Sequence, residues 1–201
     1  MSANQTQIPV EKHPLEPFLP EGARVLMLGS FPPKQEKWSM EFFYPNFIND
    51  MWRIMGLIFF NDKEHFVAED EAGRKIRKFD RERCAAFAAD KGIAMYDTAC
   101  EIRRLKDNAS DKFLEVVTPT DLRELLKKIP TCHAIVTTGQ KATDVILDTF
   151  GCEEPAVGQC TEFQIGDRPM KLWRMPSSSR AYPLSLEKKA EFYRKLFKSQ
   201  I

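Results

Sequence analysis

Cysteine is scarce and unpatterned in this chain. Its 201 residues hold five, Cys84, Cys100, Cys132, Cys152 and Cys160, odd in number, scattered and never spaced as CxxC. Disulfide frameworks, zinc sites and iron–sulfur clusters need paired or clustered thiols, so the spacing argues for free thiols, buried or half-buried, in a reducing compartment. No apolar run is long enough to cross a bilayer, and the polar start from Met1 to Gln7 lacks the hydrophobic segment of a signal peptide. The expected location is the cytoplasm. An excess of either charge is also missing: 30 Lys and Arg stand against 29 Asp and Glu, a formal net charge of +1. Composition does not announce a nucleic-acid binder, and any basic face has to be local. His13, His65 and His133 lack metal-ligand spacing and read as structural or solvent-facing. There is no GxGxxG or Walker loop for nucleotide phosphates, no GxSxG elbow for a serine hydrolase, and no internal repeat.

With 43% hydrophobic residues, the chain can build one domain with a substantial core. Residues 1–23 read as a proline-rich arm laid over that domain, because Pro9, Pro14, Pro17 and Pro20 suit neither a helix nor a central strand. Residues 24–201 form the domain itself. Arg24–Gly29, Ile93–Tyr96 and Ala134–Thr138 are short apolar runs of the kind buried on both faces of a parallel sheet. Asn49 is placed to cap a helix carrying Met51, Trp52, Ile54 and Met55. Asp80–Lys91, a segment capped by Thr120, Gln140–Phe150 and Leu184–Phe197 read as further helices. Phe60–Arg77 looks like a charged surface insertion, and a polar loop runs from Asp97 to Phe113. Gly166-Asp167 joins the β-runs Thr161–Ile165 and Met170–Arg174 as a hairpin. The expected fold is an α/β, three-layer α/β/α sandwich around a short, mostly parallel sheet. Ligands in such folds bind beyond the carboxyl ends of the strands, so the loops after Leu28, Tyr96, Thr138 and Arg174 should share one edge.

Three of those loops carry chemistry. In Gly29-Ser30-Phe31-Pro32-Pro33 the glycine lets backbone approach a ligand and the prolines stiffen the turn; a plain tight turn has the same composition. Phe42–Asn49 collects aromatics with Asn46 and Asn49. Aromatic faces stack on bases, and an asparagine reads a base edge or holds a water, although such aromatics also cap cores. Met175-Pro176-Ser177-Ser178-Ser179-Arg180 offers hydroxyls and backbone N–H groups at a turn into a helix, which suits a phosphate as well as a capping turn.

Taken in order, these segments resemble the uracil-DNA glycosylase superfamily, and within it the branch of hypoxanthine-DNA and mismatch-specific glycosylases. The branch pattern Gly-Ser-Met-Pro-Gly is similar to Gly29–Pro33, its aromatic pair to Phe42-Phe43, and its Asn-x-Phe-Trp-Arg-Ile-Met segment to Asn49–Met55. Tyr96-Asp97 with Ser110-Asp111, the glycine-ended Thr137-Thr138-Gly139, and Met175–Ser179 complete the set, from Val25 to Ala181. Three departures stand out. Phe31 occupies a position where many members carry a water-activating Asn or Asp, Pro33 replaces a glycine beside the base, and Met175 replaces a histidine of some relatives.

The resemblance implies a monomeric glycosylase that swings a damaged base out of DNA and hydrolyses its N-glycosidic bond without metal or organic cofactor. Asn49 would orient the attacking water, with Asn46 as its rival. Phe43 would stack on the base, with Gly29, Ser30, Phe31 and Thr138 around its edge. Ser177, Ser178 and Ser179 would grip flanking phosphates, Arg180 would fill or brace the gap, and Lys141 would add a phosphate contact. Two other classes fit the same residues: a glycosylase-like protein that only binds DNA, motivated by Phe31 and Pro33, and an α/β hydrolase or transferase acting on a small molecule. Which base is removed stays open.

Overall fold

A computed structural model describes residues 8–105 and 113–201. In chain order the elements are β1 (Val10–Lys12), β2 (Val25–Gly29), α1 (Met51–Phe59), β3 (Val67–Glu69), β4 (Lys75–Phe79), α2 (Arg81–Asp90), β5 (Ile93–Asp97) and β6 (Ala99–Arg104). There follow β7 (Leu114–Pro119), α3 (Leu122–Lys127), β8 (Ala134–Thr137), α4 (Gln140–Phe150), β9 (Gln159–Ile165), β10 (Arg168–Arg174) and α5 (Leu186–Gln200). The core sheet runs β5-β2-β8-β10-β9, parallel except for the β9–β10 hairpin. Helices flank it in a three-layer α/β/α sandwich.

The burial pattern follows from the sequence. Every residue of β5 and β8 is buried, as are the first four of β2, because strands covered on both faces need apolar side chains on both. At the edge, β9 alternates, with Phe163 and Ile165 turned to the core between exposed neighbours. On the opposite edge, Phe18 exchanges two backbone hydrogen bonds with Met95 (2.9 and 3.0 Å), so the arm covers part of what would be an open strand. Rings lock the helices together: Phe59 of α1 lies 5.0 Å from Phe87 of α2 and 5.5 Å from Phe197 of α5. Arg123 of α3 donates to the Thr149 carbonyl of α4.

Several expectations need correction. The supposed surface insertion after Phe60 contains the β3–β4 hairpin. Its charged residues face outward while Phe66, Val67 and Phe79 are buried, so the charge masked a strand pair. The supposed polar loop after Asp97 holds β6, which pairs with β7 and with β1 of the arm in a second, three-stranded sheet. One of its partners, β1, lies far away in the sequence, and no local pattern displays that pairing. Ser110 and Asp111 lie outside the described residues. The cap of α1 is Asp50; Asn49 accepts the Met51 N–H through its side-chain oxygen at 2.9 Å. Asp121 caps α3, while the Thr120 hydroxyl donates to the Asp97 carbonyl at 2.7 Å. Helix α5 starts at Leu186 behind a Ser185 cap. Cys160 is exposed.

Candidate active site

Because β2, β5, β8 and β10 run parallel, Gly29, Asp97, Thr138 and Met175 all lie at the same carboxyl edge of the sheet. The backbone ladder continues past the strand ends and ties the loops together. Thr98 N–H donates to the Gly29 carbonyl (2.9 Å), Thr138 N–H to Leu28 (3.1 Å) and Met175 N–H to Thr137 (2.9 Å). The shared edge inferred from the strand pattern is where the loops sit.

The serine turn and the start of α1 form one half of this edge. Asp50 N–H donates to the Ser178 carbonyl at 2.9 Å. The Asp50 carboxylate is buried and receives Lys189 Nζ of α5 at 2.9 Å and Arg180 Nη2 at 3.5 Å. Lys189, with no exposed surface, also donates to the Ser179 carbonyl at 2.7 Å, and Tyr193 one turn later donates to the Pro176 carbonyl at 2.8 Å. Helix α5 therefore holds the turn from beneath and binds it to Asp50, the neighbour of Asn49. A buried charge pair holds its geometry only where hydrogen bonds satisfy both partners, as here. Among the serines, Ser178 is buried, Ser177 is half-buried and Ser179 is exposed. Ser177 Oγ accepts from Ser179 N–H (3.2 Å), and Ser179 Oγ accepts from Ala181 N–H (3.3 Å).

Positive charge gathers beside Asn49. Arg53 donates to the Phe47 and Asn49 carbonyls (2.7 and 3.3 Å), and its guanidinium lies 4.5 Å from the Phe47 ring centre. Burial, and then the like charge of Arg180, lower the Arg53 pKa. Ile48 is 47% exposed next to this group. Asn46 lies half-buried and accepts the Ile48 N–H at 3.1 Å.

The first loop, with Phe43 and Thr138, forms the other half. Gly29 and Ser30 are half-buried. Phe31 sits edge-on to His13 with ring centres 5.2 Å apart, and packs with the Ala99, Ile102 and Leu114 cluster of the small sheet. Phe43 is only 5% exposed; its ring meets Phe42, Tyr96 and His13, and its carbonyl accepts the Trp52 indole N–H at 3.0 Å. Tyr44, at a positive φ of 53°, brings its hydroxyl 3.4 Å from Thr138 Oγ1. Burial pushes that hydroxyl well above its usual pKa; the Thr138 contact opposes the shift and the Asp97 charge adds to it. Tyr44 is thus a neutral donor or acceptor at this edge.

The Lys141 ammonium reaches the Leu114 carbonyl of β7. Sequence reasoning missed Asp50, Lys189, Tyr44 and His13. Lys189 carried a signal, since it falls in the apolar stripe of α5 with Leu186, Ala190, Tyr193 and Phe197, and a lysine on a buried face needs a buried partner. His13 carried none: its side chain is 2% exposed, and its partner, Asp97, is 84 residues away.

No protein-family model and no curated protein sequence matches the chain. Among solved structures it is similar to the solution NMR structure of a "putative Uracil DNA glycosylase" from Methanosarcina acetivorans, with a TM-score of 0.61 and 19% identity. The match covers 95% of this chain and 98% of that one. At this identity the likeness is one of fold, and it extends along nearly the full length of both chains.

Proposed function

We propose that the protein is a DNA glycosylase that hydrolyses the N-glycosidic bond of a deaminated base, uracil or hypoxanthine, swung out of DNA. The observation that carries the proposal is the direct tie between the serine turn and the segment bearing Asn49, on the edge that also holds the first loop. The fold shared with the Methanosarcina acetivorans protein supports it.

Extruding a base costs a few kcal/mol and is easiest at damaged or mispaired sites. The site residues divide the rest of the task. Phe43 and the Gly29–Phe31 backbone, with Thr138, bound the base. Asn49 orients the water, and the N–H groups of Ser177–Ser179 with the hydroxyls of Ser177 and Ser179 hold phosphate beside Arg180. Arg53 adds positive charge that a neutral chain does not have in bulk. Ser178 takes part through its backbone, since its side chain is buried. Lys141, at the start of α4, adds a phosphate contact.

One observation favours a second reading, a DNA-binding protein without chemistry: the Asn49 side-chain oxygen is already engaged by Met51 N–H. A base-release screen separates the two. The purified protein is incubated with oligonucleotides carrying uracil, hypoxanthine or xanthine, and abasic sites are cleaved with alkali. The glycosylase reading predicts cleavage of at least one substrate, abolished in Asn49→Ala. In Asn49→Ser a hydroxyl keeps an acceptor for Met51 N–H while the amide is gone, so loss of release in both variants assigns the defect to the amide and not to the lost Met51 contact. Salt-sensitive binding without any release selects the second reading.

A further inference from the structure

Resting on the glycosylase reading, we propose that Asp97 is a catalytic carboxylate of this site and that His13, delivered by the N-terminal arm, is the residue that positions it. Asp97 ends β5 directly opposite Gly29 of β2. Its side chain is 12% exposed, and its Oδ2 accepts His13 Nε2–H at 2.9 Å. Its Oδ1 lies over Gly29 so closely that any β-carbon there would collide with it. Glycine at position 29 is thus what lets the carboxylate lie against the first loop.

The imidazole is held on all sides. Its ring centre lies 4.7 Å from Tyr96, 5.2 Å from Phe31 and 6.4 Å from Phe43. Its Nδ1 is within hydrogen-bond distance of the Leu15 carbonyl (2.8 Å) and Leu15 N–H (3.1 Å). An ionised carboxylate at Nε2 requires a proton on that nitrogen, and Nδ1 is occupied within the arm. His13 therefore has no ring N–H left for a substrate and acts through Asp97. The arm secures the loop a second time, through Glu11 of β1. Glu11 pairs with Arg104 through contacts of 2.9 and 3.1 Å, and Arg104 in turn donates to the Pro32 carbonyl at 3.3 Å.

Among the described residues the buried carboxylates are Asp50 and Asp97. Asp50 has both oxygens taken by Lys189 and Arg180. Asp97 has one oxygen on His13 and the other on the loop face. An amide such as Asn49 is a poor base, whereas a carboxylate accepts a proton and favours positive charge on the sugar. In the step, a water oxygen bonds to the anomeric carbon as the N-glycosidic bond breaks, and the bonding pair leaves on the base. The water proton passes to Asp97 Oδ1 and from there to the departed base or to solvent. His13 Nε2–H stays on Oδ2 and fixes which oxygen faces the water.

The test measures single-turnover base release and DNA affinity, by fluorescence anisotropy, for the wild type, Asp97→Asn, His13→Ala and His13→Gln, with circular dichroism melts as folding controls. Asp97→Asn is expected to slow release by about 10²–10⁴-fold, the usual reach of general-base catalysis, with DNA affinity within about threefold. His13→Ala should slow release by roughly 10²-fold, the effect of a misplaced catalytic group. Added imidazole should recover part of that loss, and His13→Gln, which keeps an N–H for Asp97, should lose less than His13→Ala. Should His13→Ala fail to fold, His13→Gln and Asp97→Asn decide. Unaltered release in Asp97→Asn overturns the role of Asp97 while leaving the glycosylase reading standing. A drop in release matched by an equal drop in DNA affinity also overturns it. Unaltered release in the His13 variants overturns the positioning role. Absence of release by the wild type from every substrate overturns the glycosylase reading and this role together.

Discussion

The two halves of the site are gripped from opposite ends of the chain, and by different means. The serine half is held by α5 through Lys189, a cation with no exposed surface on a carboxylate that is itself buried. The first-loop half is held by the arm, through a His13–Asp97 pair and a Glu11–Arg104 pair whose glutamate is 34% exposed. A dry ion pair is strongly coupled to the fold, because removing one partner leaves the other charged and unsolvated. The arm's Glu11–Arg104 pair reaches water, and its strand is only three residues long. The serine half should therefore behave as part of the core, and the first-loop half as a separable clamp.

That contrast can be broken by substitution. The largest effect is expected from Lys189→Met, which strands the Asp50 carboxylate. Stability should fall by about 3–5 kcal/mol, read as a lower urea midpoint at unchanged slope. Pairing it with Asp50→Asn should restore part of the loss. A fall under about 1 kcal/mol would make the serine half no more core-like than a surface pair. Gly29→Ala comes next. Position 29 does not need the left-handed backbone, so the penalty is the collision with Asp97 alone. About 1–3 kcal/mol is expected, largely relieved when Asp97 is also changed to Ala, and calorimetric melts of the single and double variants read it. Arg180→Ala is the smallest. Its side chain is 54% exposed, so stability should move by less than about 0.5 kcal/mol. DNA affinity should nevertheless weaken, and its slope against log salt should fall by about 1, as for the loss of one phosphate contact.

The core sheet was legible because β2, β5 and β8 are continuous apolar runs bounded by polar residues, and Gly166-Asp167 marks the β9–β10 turn. The small sheet was not. Half of the residues of β6 are charged, and its pairing with β1 of the arm leaves no local mark in the sequence. The three loops of the site were visible as compositions, and parallel topology alone placed them on one edge. Their support was hidden. Lys189 showed as a misplaced charge on an apolar stripe, but nothing near His13 points to Asp97, because that contact exists only once the arm has crossed the sheet.

If both halves act on one base, Asn49 and Asp97 are coupled in the same step, and a double-mutant cycle on single-turnover base release reads that coupling. Residues that work as a unit are strongly non-additive, so the Asn49→Ala, Asp97→Asn double variant should lose little more than the worse of the two single variants. Losses that multiply would show two independent contributions and contradict a single shared site.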